Sequence, residues 1–148
     1  VDLRASLVAD CPPDRLFALV GDLCRYPEWL TILPKADRVE AGSSIGAWQV
    51  ELRGRLGPLA RSKQLRMACT ERDTPHRAVF ERRELDGRQH APWRLVVDVS
   101  DHAPGAELQM HLHYGGTLGG PLLERLLREE IERSRPRLLE LAEASASR

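Results

Sequence analysis

Apolar and polar residues alternate from the first residue. Val1, Leu3, Ala5 and Leu7 fall on one face of residues 1–9, which predicts a strand. Asp10-Cys11-Pro12-Pro13-Asp14 breaks the pattern. Proline in the first turn of a helix loses no hydrogen bond, because its missing N–H would be unpaired there. Leu16, Phe17, Leu19 and Val20 then give a short helix one apolar face. Asp22 is placed to cap a second short helix, which Tyr26-Pro27 interrupts. Arg25-Tyr26-Pro27-Glu28-Trp29-Leu30 packs two aromatics and a proline into one turn.

Between Lys35 and Tyr114 the period is two. A short strand surrounds Val39. The next runs from Ala47 to Gly54, with Trp48, Val50 and Leu52 opposite Gln49, Glu51 and Arg53. Arg61 to Thr70 turns Leu65, Met67 and Cys69 one way, and His76 to Leu85 follows, ending at a strong hairpin signal in Asp86-Gly87. Trp93, Leu95, Val97 and Val99 share a face, as do Leu108, Met110, Leu112 and Tyr114 after the Pro104-Gly105 turn. These are consecutive antiparallel strands with one apolar and one polar face. Past the glycine-rich 115–120 the period becomes 3.6. Leu122, Leu123, Leu126, Leu127, Ile131, Leu138, Leu139 and Leu141 predict a long amphipathic helix that Pro136 should kink, with 144–148 fraying.

Composition narrows the class. The 148 residues suit one domain, 1–148, with 42% apolar and 30% charged residues, which favours neither disorder nor a membrane span. Twenty-two basic residues balance 22 acidic ones, so broad electrostatic binding to nucleic acid or to anionic lipid is not expected. No apolar run approaches the roughly 18 residues that cross a bilayer. Cys11, Cys24 and Cys69 are widely spaced and odd in number, which suits a reducing cytoplasm and gives no zinc comb or disulfide framework. VDLRASLVAD lacks the apolar core of a signal peptide, so a soluble cytoplasmic protein is expected.

The order of strand, two short helices, six strands and long helix resembles the START-like (SRPBCC) superfamily. More narrowly it is similar to the polyketide cyclase/dehydrase and lipid-transport group. Asp10-Cys11-Pro12-Pro13-Asp14-Arg15-Leu16-Phe17, Asp22, Tyr26-Pro27-Glu28-Trp29 and Gly105-Ala106-Glu107-Leu108 carry the resemblance, which spans nearly the whole chain. It implies an α+β helix-grip fold: a curved seven-stranded antiparallel sheet around the long C-terminal helix, with two short helices after the first strand. It also implies a cavity between sheet and helix, and a small hydrophobic ligand as partner.

The residues themselves offer few catalytic groups. His111 and His113 share a strand face, but it is opposite the apolar one, so a solvated pair is expected and no metal site. The glycines at 115–120 lack the Lys-Ser/Thr ending of a phosphate loop. Cys69, in line with Leu65 and Met67, reads as a buried inert thiol. Arg82 shares a face with Phe80, and a buried guanidinium requires an anion, either Glu84 or a ligand carboxylate, enolate or phenolate. Arg66, opposite Leu65 and Met67, is expected to point outward. Trp29, Trp48, Trp93 and Tyr114 are expected at the cavity, with Leu118 and Leu122 at the turn into the helix. The pocket mouth is expected between the Tyr26–Leu33 segment and the start of that helix.

The leading expectation is a protein that binds a lipid, polyketide or aromatic ligand, as monomer or homodimer and with no cofactor. The alternative is a polyketide aromatase/cyclase or dehydratase, with Arg82 stabilising an enolate and Tyr114 relaying a proton. A lipid or quinone chaperone with an apolar opening around Tyr26 to Leu33 is the third.

Overall fold

The computed structural model describes residues 1–56, 59–117 and 120–144. Strand β1 (Asp2–Ala9) leads to α1 (Pro13–Val20) and a 3₁₀ helix (Leu23–Glu28). Six strands follow: β2 (Lys35–Val39), β3 (Gly46–Leu56), β4 (Leu59–Asp73), β5 (Arg77–Arg82), β6 (Trp93–His102) and β7 (Gly105–Tyr114). Helix α2 (Gly120–Ala144) ends the described chain and runs unbroken through Pro136. This is an α+β helix-grip arrangement.

The seven strands form one sheet in the order β1-β7-β6-β5-β4-β3-β2. Every pairing is antiparallel: β2 to β7 each pair with the next, and β1 pairs with β7. The register sets Leu3 opposite Leu112 and Leu7 opposite Leu108, so the predicted apolar faces meet on one side. Helix α2 presents Leu127, Ser134, Leu138 and Ala142 as its buried stripe, at helical spacing.

The two short helices are tied down by buried polar contacts. Asp22 caps the 3₁₀ helix through Cys24 N–H (3.0 Å) and also accepts from Trp48 Nε1 (3.1 Å). The Tyr26 hydroxyl donates to Val20 O (2.7 Å) and Trp29 Nε1 to Leu19 O (3.2 Å), capturing the last carbonyls of α1. The aromatic-proline turn therefore folds against the end of α1.

Two local readings need revision. Strand β5 stops at Arg82 and does not reach Leu85. Arg83 N–H bonds to Arg66 O, and the Glu84 carboxylate takes both Arg82 Nε and Arg66 N–H. The chain thus leaves the β5–β6 ladder before the Asp86-Gly87 turn, which sits in a longer loop. Arg66 does lie opposite Leu65 and Met67, yet it is buried, donating to Arg83 O (2.8 Å) and Glu40 O (2.9 Å). Its guanidinium laces together the two connections at that end of the sheet.

Candidate functional site

A cavity lies between the concave face of the sheet, the 3₁₀ segment and α2. The centre of a water-sized sphere can range over about 140 Å³ within it. That is roughly ten times the room one water needs. The sheet contributes Leu3, Val50, Leu65, Met67, Leu95 and Met110 among others, all from the apolar faces. Tyr26, Trp29, Leu30, Ile32 and Leu33 close one side, and Leu127, Ile131, Ser134 and Leu138 of α2 close another. Exposed Ser6 and half-buried Arg135 also line it, so the wall reaches solvent where β1 faces α2.

No carboxylate, histidine, lysine or thiol is among the described residues of the wall. Its polar groups are mostly spoken for. Ser134 Oγ donates to Ile131 O (2.7 Å) and Arg135 to Ser6 O (2.6 Å), beside the Tyr26 and Trp29 bonds already given. Burial, with the negative charge of Asp22 second, pushes the Tyr26 phenol well above its ordinary pKa, so it stays protonated. Trp93 Nε1 differs: it is buried and has no hydrogen-bond partner among the described residues.

The sequence-derived candidates separate into two sets. Trp29 and Trp93 are on the cavity wall. Tyr114 is buried directly against Trp93, ring centroids 4.5 Å apart. Trp48 and Phe80 are buried further along the same face, packed edge to face at 5.4 Å, with Trp48 held by Asp22. Arg82 is beside Met67 in the register, and its 8% exposed side chain bonds to Glu84 at 2.7 Å. Leu122 is exposed on α2, and Leu118 lies outside the described residues. Ser134 escaped the sequence reading. Its signal was a polar residue at helical spacing within the apolar stripe of Leu127, Ile131 and Leu138.

Elsewhere, His111 and His113 both hydrogen-bond to Asp2 Oδ1, at 2.9 and 3.0 Å, on the outer face. These bonds hold the Asp2 carboxyl below its ordinary pKa. Among the described residues no group of three or more potential ligands is arranged to hold a metal. Burial pushes the Cys11 and Cys24 thiols up, away from the reactive thiolate. Among the described residues no helix is long and apolar enough to cross a membrane.

Solved structures share this architecture. Protein TTHA0849 of Thermus thermophilus superposes with a TM-score of 0.77 at 19% identity, covering 99% of each chain. CV1439 of Chromobacterium violaceum gives 0.70 at 16% identity over 96% of each chain. The Zhui aromatase/cyclase of Streptomyces sp. R1128 gives 0.69 at 10% identity, covering 99% of this chain and 95% of that one. At such identities the likeness is one of fold. No curated protein sequence matches significantly. The family model for polyketide cyclase/dehydrase and lipid transport matches residues 1–143, and the chain belongs to that family.

Proposed function

We propose that the chain binds a small hydrophobic ligand, of lipid, polyketide or aromatic type, in the cavity between sheet and α2. The observation that carries this reading is the wall. A space larger than several waters, lined by leucines, methionines and aromatics with almost every polar group already bonded, favours an apolar guest over water. Family membership supports the same class of ligand. The three free cysteines, two of them buried, fit a reducing compartment such as the cytoplasm.

Binding without chemistry has more support than cyclase activity. An enolate-forming reaction needs a positioned acid or base within hydrogen-bond reach. The described wall offers only the Tyr26 phenol, which burial keeps protonated and which already donates to Val20 O. Arg82, the expected electrostatic centre, is neutralised by Glu84.

Tryptophan emission tests the proposal, since Trp29 and Trp93 touch the cavity. Titration with fatty acids, flavonoids and anthracene-like polyketides should change the spectrum saturably for at least one class. An unchanged spectrum throughout would count against a ligand site here.

A further inference from the structure

The cavity wall is apolar except where it reaches solvent. There Ser6 of β1 and Arg135 of α2 both line the space. β1 is an end strand of the sheet, so its outer edge has no strand partner. Arg135 Nη1 donates across the seam to Ser6 O at 2.6 Å. That bond locates the guanidinium: it spans two lining residues at the opening. The Arg135 side chain is 37% exposed, so its charge stands at the mouth in contact with water.

The charge is weakly met by the protein. On α2, Arg128 pairs with Glu124, Arg133 with Glu130 and Arg137 with Glu140. The acid beside Arg135 is Glu132, 3.7 Å from Nε and itself 66% exposed, and such a pair holds little. A guanidinium has donors beyond Nη1, and Nη2 has no hydrogen-bond acceptor among the described residues. No carboxylate is on the described wall to repel an anion. A ligand anion at the mouth could therefore meet Arg135 while keeping part of its hydration, with its apolar body inside. An anion deeper in the cavity would have no counter-charge.

We infer that Arg135 anchors the head of the ligand, which is an amphiphile: an apolar body ending in a carboxylate, as in a fatty acid. This rests on the reading of the cavity as a ligand site. The probes are decanoate and 1-decanol, which share a ten-carbon chain and differ in the charge of the head. Calorimetric titration gives the decanoate-to-decanol affinity ratio, so the contribution of the chain cancels within each protein. In Arg135→Gln the ratio should fall by about 3- to 10-fold, the worth of a charged contact that is partly exposed. Arg135→Lys, which keeps the charge, should restore most of it. In the parent, added sodium chloride should lower the ratio, a readout that needs no variant. With equal numbers of acidic and basic residues in the chain, that salt effect reports a local cation. A ratio unchanged in Arg135→Gln, including equal weakening of both probes, or a ratio indifferent to salt, would overturn the anchor while decanol binding leaves the cavity reading intact. If neither probe binds the parent, the cavity reading fails first and the inference falls with it.

Discussion

Removing the Tyr26 hydroxyl should change how the protein responds to alkali. Tyr26 is 1% exposed, donates to Val20 O at 2.7 Å and stacks on Trp29 at 4.6 Å between centroids. Tyr26→Phe keeps the ring and leaves a buried carbonyl without that donor, so at neutral pH it should cost about 1–2 kcal/mol. Burial raises the phenol's folded pKa above its unfolded value of about 10, so the folded state keeps a proton that the unfolded chain releases. That contribution to stability is fully present below about pH 10 and is lost as pH rises further, at about 1.4 kcal/mol per pH unit. The phenylalanine variant has no such loss. The two stabilities should therefore converge above about pH 10 and cross near pH 11, about one unit higher. Cys11 and Cys24 titrate in both proteins and cancel in the difference. Urea unfolding of parent and variant, followed by far-ultraviolet circular dichroism at several alkaline pH values, measures this directly. A difference that stays constant to about pH 11.5 would show that the phenol ionises in the folded protein, and the buried Tyr26–Val20 contact would be refuted.

Two further substitutions test the polar supports of the fold. Asp22→Ala removes the 3₁₀ cap and strands the Trp48 indole N–H, and should cost about 2 kcal/mol in urea unfolding, with a loss below about 0.5 kcal/mol contradicting the account. Arg82→Met leaves the half-buried Glu84 carboxylate with Arg66 N–H as its remaining donor, and should cost about 2 kcal/mol. The double variant Arg82→Met/Glu84→Gln should recover at least half of that loss, and a single variant as stable as the parent would argue against a stabilising Arg82–Glu84 pair.

Strand alternation made β2 to β7 legible in order and gave the faces of β3, β4, β6 and β7, whereas the mostly exposed β2 was readable only as a short strand around Val39. The strand ends were less legible. The period continues through Arg83 to Leu85, but backbone and carboxylate bonds to Arg66 draw those residues out of the β5–β6 ladder. The same limit applies to the cavity. Alternation puts Trp48 and Val50 on one face, yet Val50 reaches the cavity while Trp48 is sealed by Asp22 and Phe80. Depth along a curved strand depends on what covers it, and the cover comes from the 3₁₀ segment, distant in sequence. Arg82 illustrates the point for charge. Its face was readable from Phe80, whereas the choice between ligand and Glu84 as its anion depended on how β5 ends. Arg66 was assigned its face and not its burial, because Glu40 and Arg83 cover it from neighbouring connections.

The central claim is that the space between sheet and α2 holds an apolar guest. N-phenyl-1-naphthylamine, a neutral probe that brightens in apolar surroundings, can be titrated into the parent and into Ala5→Phe. Ala5 lies on the wall opposite Met110 of β7, and a phenyl ring there would occupy the cavity from the β1 side. The account predicts saturable brightening with the parent and at least roughly tenfold weaker binding with the filled variant, which should still fold because the added ring is buried among apolar groups. Equal binding by a folded Ala5→Phe, or no brightening with the parent, would contradict it.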